Sequence, residues 1–199
     1  MARKSSRALW TAHLKGGARV PSSANKSTRP KKVVEKSSSR GVRGIILGID
    51  PSLRGTGLAV IDSRTEPYQL LDSITVKVSP KFDAIECLGK IAEAVEKMAL
   101  KFQIDQAAIE ETIYVQNFRT AQAMGASRGA ALSVLARLNI HVKEYAPKRI
   151  KLAVTGHGSA SKEQVGKMIK SILNLRSELP LDESDAAAIA LCHAFTARG

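Results

Sequence analysis

Aromatic side chains are scarce in this chain: Phe, Tyr and Trp together make up 4% of its 199 residues. A core built on stacked rings is therefore excluded. Leu, Ile, Val and Ala must supply it, and the length is enough for one domain to bury a sizeable interior. Cysteine is nearly absent. Cys87 and Cys192 lie far apart and lack a metal-ligand spacing, which leaves two buried free thiols in a reducing compartment as the plain reading. No run reaches about 18 consecutive apolar residues, so a membrane-spanning helix is not expected. Acidic residues are also few, with 18 Asp and Glu against 31 Lys and Arg and a formal net charge of +13.

That charge is unevenly placed. Residues 1–40 carry eleven Lys and Arg against a single acid, Glu35, a net of +10; residues 41–199 carry the remaining twenty against seventeen acids, a net of +3. The first 40 residues are rich in Ser, Lys, Arg, Gly and Ala and show no sustained period, so residues 1–43 are expected to be a disordered basic extension and 44–197 the folded domain. Three roles are compatible with such an extension. It could be an arm that binds nucleic acid through counterion release. It could be an organelle transit peptide, since it is Arg- and Ser-rich and almost free of acid. It could be a solvated extension without a dedicated role. A secretory signal is excluded by the lack of an apolar central region.

Within the domain the apolar period changes along the chain. Gly41–Gly44 reads as a hinge. Ile45–Asp50, Thr56–Asp62 and Leu70–Val78 read as three strands joined by turns, an antiparallel meander. Apolar residues from Phe82 to Ala99 recur at helical spacing, which predicts a helix over 82–101. A short buried strand at Asp105–Glu110 follows, then a helix over Ala121–Leu138. That helix carries a face of small residues, Ala123, Gly125, Ala126, Gly129 and Ala130, suited to close packing in the core or, as the second reading, at an interface. Ile140–Tyr145 is a fifth strand, Pro147 opens a short helix, and Ser161–Leu173 and Glu183–Thr196 are the last two helices. The expected fold class is α/β: a five-stranded mixed sheet, three antiparallel then two parallel strands, flanked by helices.

Four carboxylates stand out against this pattern. Asp50 and Glu110 each end an apolar strand, where sites gather in open α/β sheets. Asp182 and Asp185, three apart, share a helix face just before the apolar run from Ala186 to Leu191. Such acids, aimed at one point from separate elements, suit a hard divalent cation that activates water and stabilises the leaving oxygen of a phosphodiester. Each signal alone has a structural alternative: Asp182 and Asp185 as a helix cap and first-turn acid, Glu110-Glu111 as an exposed turn, and Asp50-Pro51-Ser52 as an Asx-type turn.

Their order and spacing carry more. Ile49-Asp50-Pro51 with Thr56-Gly57, then Ala108-Ile109-Glu110, Asn117 through Gly125-Ala126-Ser127-Arg128-Gly129, Glu144-Tyr145-Ala146-Pro147, Lys151, Gly156-His157-Gly158-Ser159-Ala160, Lys162 and finally Asp182-x-x-Asp185-Ala186 together resemble the RuvC family of Holliday junction resolvases, collinearly over about 44–195. The resemblance implies a ribonuclease H-like fold. It implies a homodimer that makes symmetric cuts in four-way junction DNA with Mg²⁺, two ions per active site, Mn²⁺ being a possible substitute. It implies Asp50, Glu110, Asp182 and Asp185 as the catalytic and metal-binding acids, with histidine an alternative at the position of Asp182 in some members. Lys151 and Lys162 fall on basic residues linked to catalysis, and Lys162 is expected beside the scissile phosphate. Arg128, Lys148 and Arg149, with Lys151 and Lys162, are the basic side chains expected to meet DNA.

The resemblance further implies the branch-migration proteins RuvA and RuvB as partners and a bacterial cytoplasmic, nucleoid-associated setting. The chain departs from the family pattern in places. Ser52 stands where glycine is usual, Leu58 and Ala59 replace an aromatic and a glycine, and Ile113 occupies a position where an aromatic often stacks on a junction base; Tyr114 is next to it and is the candidate replacement. His157, between two glycines, is the one histidine expected near the site. Two other functions compete: a protein that holds branched nucleic acid without cutting it, and, more remotely, a phosphotransferase using Gly55-Thr56-Gly57 as a phosphate loop.

Removal of residues 1–40 should weaken DNA binding and flatten its dependence on salt if the extension contacts phosphates. Binding isotherms over a salt series check this, and an unchanged slope would exclude the role.

Overall fold

The computed structural model describes residues 41–111 and 117–197. The expected disorder of the first forty residues, and Ile113 and Tyr114, lie outside the described residues. Five strands form one sheet: β1 (Ile45–Asp50), β2 (Gly55–Asp62), β3 (Gln69–Lys77), β4 (Gln106–Glu110) and β5 (His141–Tyr145). Their spatial order is β3-β2-β1-β4-β5. β1 pairs antiparallel with β2 and β2 with β3, whereas β4 runs parallel to both β1 and β5. This is the expected mixed sheet.

Helices cover both faces. On one face lie α1 (Ala84–Phe102) and α2 (Phe118–Arg137); on the other lie α3 (Pro147–Thr155), α4 (Lys162–Ile172) and α5 (Leu181–Thr196). Helix ends follow capping rather than apolar period. Asp83 and Glu86 close a reciprocal capping box, so α1 starts after Phe82. Asn117 accepts a hydrogen bond from the Thr120 amide and starts α2 three residues earlier than the apolar pattern indicates. Pro147 occupies the first turn of α3, as its missing N–H allows.

The shortage of aromatics is met by an alanine-rich helix. In α5 every residue from Ala186 to Ala194 is buried. It lies directly on the backbone of β1 and β2, and two glycines make room for it. A Cβ on Gly48 would stand 2.0 Å from the Ala186 carbonyl oxygen, and one on Gly57 would stand 2.0 Å from the Asp182 carbonyl oxygen. Leu58 and Ala59, which depart from the family pattern, are both fully buried, on opposite faces of β2. They are absorbed by packing.

Two expectations are corrected. Gly41–Gly44 is packed rather than a hinge: the Ser63 hydroxyl is bonded to Gly44 N–H and to the carbonyl of Val42, and Gly41 lies against the Ala194 carbonyl. On α2, Gly125 and Gly129 are exposed and a Cβ at either would meet nothing within 4 Å, so these two glycines do not serve core packing.

Gly48→Ala and Gly57→Ala should therefore destabilise the fold by about 1–3 kcal/mol or more through overpacking. Gly125→Ala should stabilise it by about 0.5–1 kcal/mol through helix propensity. Urea denaturation of the three variants reads both signs.

Candidate active site

The parallel pairing of β1 with β4 brings Asp50 and Glu110 together. Ile49 is in register with Ile109, so the residues that follow each of them end adjacent strands side by side. Asp50 turns into Pro51-Ser52, and this turn is held by Thr56, which is fully buried. Its hydroxyl donates to the Ser52 carbonyl at 2.5 Å and accepts from the Ser52 amide at 3.1 Å. The staple comes from threonine, not from an Asx turn at Asp50.

Helix α5 brings the remaining acids. Its N-cap is Pro180, with no side-chain capping bond, so neither Asp182 nor Asp185 serves as the cap. Glu183 holds the first turn against the sheet by accepting hydrogen bonds from Ser73 Oγ at 2.6 Å and Thr75 Oγ1 at 3.3 Å. Asp185 then faces Asp50 and Glu110 across a pocket of about 330 Å³, whose charged lining is completed by Lys151 and Lys162. Met124, Ile150, Val165, Ala188 and Ile189 supply its apolar wall. Asp182 is set to one side. Its carboxylate lies 3.1 Å from where a Cβ on Gly55 would sit.

The charges in this pocket interact strongly. Burial, followed by the repulsion of Asp185 and Glu110, pushes the Asp50 carboxyl up to about 7, with Lys162 acting in the opposite direction and Asp182 adding the weakest push. Glu110 is also raised, first by burial and then by Asp185. Lys162 Nζ donates to Asp185 Oδ2 at 2.6 Å, and this bond raises the lysine. Among the described residues no three His, Cys, Asp or Glu side chains are drawn into a finished metal cage. The donor set still fits a hard divalent cation: three carboxylates face one pocket, all donors are oxygens, and their repulsion is what a cation would relieve. Asp50, Glu110 and Asp185 would hold it, with Asp182 at the margin.

The other predicted residues are dispersed. Arg128 is turned inward: its guanidinium donates to the Glu110 carbonyl oxygen and pairs with Glu144, and its side chain is only 12% exposed. It is not presented to DNA. Lys148 is exposed and packs under Gly158. Arg149 lines a separate cavity at the β5 edge with His141, Lys143 and His193. His157 lines another, with Ser159, Gln164 and Lys167, away from the acids. His193 is spent internally between Tyr145 Oη at 2.9 Å and Gln106 Oε1 at 2.7 Å, and burial pushes it down to about 4. Sequence spacing offered no sign of the Thr56 staple or the inward Arg128, because both depend on backbone carbonyls rather than on residue patterns.

Comparison with known proteins agrees with the fold. The family model for crossover junction endodeoxyribonuclease RuvC matches residues 46–193. The chain is 38% identical over 152 residues to the crossover junction endodeoxyribonuclease RuvC of Akkermansia muciniphila, covering 76% of this chain and 91% of that one. Among solved structures it is similar to Thermus thermophilus RuvC in complex with a Holliday junction substrate, with a TM-score of 0.73 and 34% identity, over 77% of this chain and 94% of that one. The yeast mitochondrial Holliday junction resolvase Ydc2 shares the fold at a TM-score of 0.56 and 12% identity, over 79% and 82% of the two chains.

The raised Asp50 carboxyl has a measurable effect on stability. The folded chain holds the Asp50 proton up to about 7, while the unfolded chain releases it near its ordinary value of 3.8. Between those values the folded state binds more protons, so Asp50 makes stability fall as pH rises across the window and stay lower above it. In the absence of divalent metal, Asp50→Asn should therefore raise the melting temperature at pH 8, with the gain shrinking as pH approaches 4. Thermal melts of both proteins in chelator across pH check this.

Proposed function

The chain belongs to the RuvC family of crossover junction endodeoxyribonucleases, nucleases that resolve four-way DNA junctions, and we propose that it makes paired symmetric cuts with Mg²⁺ held by Asp50, Glu110 and Asp185. The observation that carries the assignment of residues is the single pocket where three carboxylates and two lysines meet. Asp182, whose carboxylate lies beside Gly55, is the outer and most replaceable member of the set.

A divalent ion bound there supplies an activated water and charge stabilisation at the leaving oxygen. The residues of the chain do the rest. Asp50 and Glu110, fixed at the ends of adjacent strands, hold their carboxylates in place without loop motion. Lys162, paired with Asp185, is a positive charge at the pocket edge that offsets charge building on a phosphate. Lys151 lines the same pocket and reinforces that field. The apolar wall formed by Ile150, Val165 and Ile189 limits water and strengthens these interactions.

Two opposed cuts need two such pockets, so the functional unit is a homodimer. Branch-migration proteins of the RuvA and RuvB kind fit as partners. The net charge of +10 on residues 1–40 adds affinity for DNA, and the setting is the bacterial cytoplasm.

Cleavage of a mobile four-way junction tests this reading. Symmetric opposed nicks are expected with Mg²⁺, with Mn²⁺ as a substitute. Asp50→Asn should lower the rate by about 100-fold or more, comparable to the loss of a principal electrostatic group in other enzymes. An Asp50→Asn variant that cuts as fast as the wild type would sink the assignment, and junction binding without cleavage in either metal would favour a non-cutting binding protein.

A further inference from the structure

The end of β4 presents a problem of hydrogen bonding. The Glu111 amide donates to the Tyr145 carbonyl at 2.9 Å, on the β5 side. Alternation along a strand then directs the Glu110 carbonyl to the other side, toward β1. With Ile49 in register with Ile109, the ladder donor for that carbonyl would be the backbone nitrogen of residue 51. Residue 51 is proline and carries no N–H. The sheet therefore cannot satisfy the carbonyl of the very residue that places a carboxylate in the pocket.

Arg128 supplies the missing donor. It reaches from α2, on the opposite face from α5, and its Nη1 donates to Glu110 O at 2.5 Å. Its Nη2 meets Glu144 Oε1 at 2.7 Å, which aims the fork from β5. The arginine is nearly enclosed, whereas Glu144 is 54% exposed, so the bond to the carbonyl is the better shielded of the two. Both contacts fall on strand ends beside the pocket: Glu110 closes β4 and Glu144 is the penultimate residue of β5.

We propose that Arg128 is a positioning residue for cleavage, standing in for the ladder donor that Pro51 lacks and so fixing the end of β4 that carries Glu110. This rests on the placement of Glu110 in the catalytic pocket. Arg128 acts through the strand and not through DNA. Its charge is committed within the protein, so it contributes to the rate of cutting and not to junction affinity. Lysine, with one rotatable donor head in place of a planar fork, replaces it incompletely.

Single-turnover cleavage, junction affinity measured without divalent metal, and amide hydrogen exchange by NMR on full-length Arg128→Met, Arg128→Lys and Glu144→Gln proteins test the proposal. Arg128→Met should slow cleavage by about 100-fold, the scale of a small misplacement of a reacting group, while affinity stays within about threefold. Arg128→Lys should recover part of that rate. Glu144→Gln, which keeps the bond to the carbonyl, should lose no more than about threefold, as expected for an exposed ion pair. The Glu111 amide should exchange about tenfold faster in Arg128→Met, matching the loss of one charge-assisted hydrogen bond, while Ala107 and Ala108 keep wild-type protection as the check that the sheet is folded. Affinity falling in step with rate would overturn the proposal in favour of a phosphate contact. Unchanged Glu111 exchange would overturn it as well. Hydrogen exchange requires no cleavage, so it judges Arg128 even if the wild type fails to cut, an outcome that would count against the proposed function.

Discussion

The structure depends on one close approach: the backbone of α5 against the backbone of β1 and β2. Gly48 and Gly57 have no side chain to keep the helix away, and the carbonyls of Ala186 and Asp182 occupy the space that a methyl group would need. Alanine on the helix side completes the fit. This contact takes the place of the aromatic core that the composition lacks. It also fixes how far Asp185 stands from the strand ends, because the helix can neither rise nor slide without opening a void or meeting backbone. Core packing and the geometry of the site are thus one constraint.

The acids that this contact gathers would repel one another if left alone. Burial already disfavours the charged form of Asp50, and its neighbours add to that. Lys162, entering from the first turn of α4, is the resident counter-charge. Its ammonium neutralises Asp185, which eases the repulsion within the cluster. The cost of assembling like charges is thus offset by a single side chain.

Much of this was legible in the sequence. The strand periods and the positions of Asp50 and Glu110 at strand ends gave the sheet and its catalytic edge, because a buried strand that stops on an acid leaves a clear pattern. The collinear motifs joined the remote acids into one site. Helix starts were misplaced where capping side chains, Asp83 and Asn117, decided them. The basic residues were the least legible. A lysine or arginine on a helix looks the same whether it faces a pocket, as Lys151 does, a distant groove, as Arg149 does, or a strand carbonyl, as Arg128 does. Direction on a helix depends on how the helix docks, and docking is set by the whole fold. The small-residue face of α2 shows the same limit, since periodicity does not distinguish glycines that fill a core from glycines left on the outside.

The topology has a consequence for when the enzyme becomes dangerous to DNA. β1 lies between β2 and β4, so the central strand is completed only after a long excursion through α1, and α5 covers it last in chain order. More than half the chain separates Asp50 from Asp185. No fragment shorter than 136 residues holds both, and pairing across such a separation must first meet the entropy of loop closure. A nascent chain that has not reached Asp185 therefore lacks one of the three acids that line the pocket. Asp185 joins the other two acids only where the last helix of the chain packs on the sheet, so the order of secondary structure along the chain acts as a safety catch.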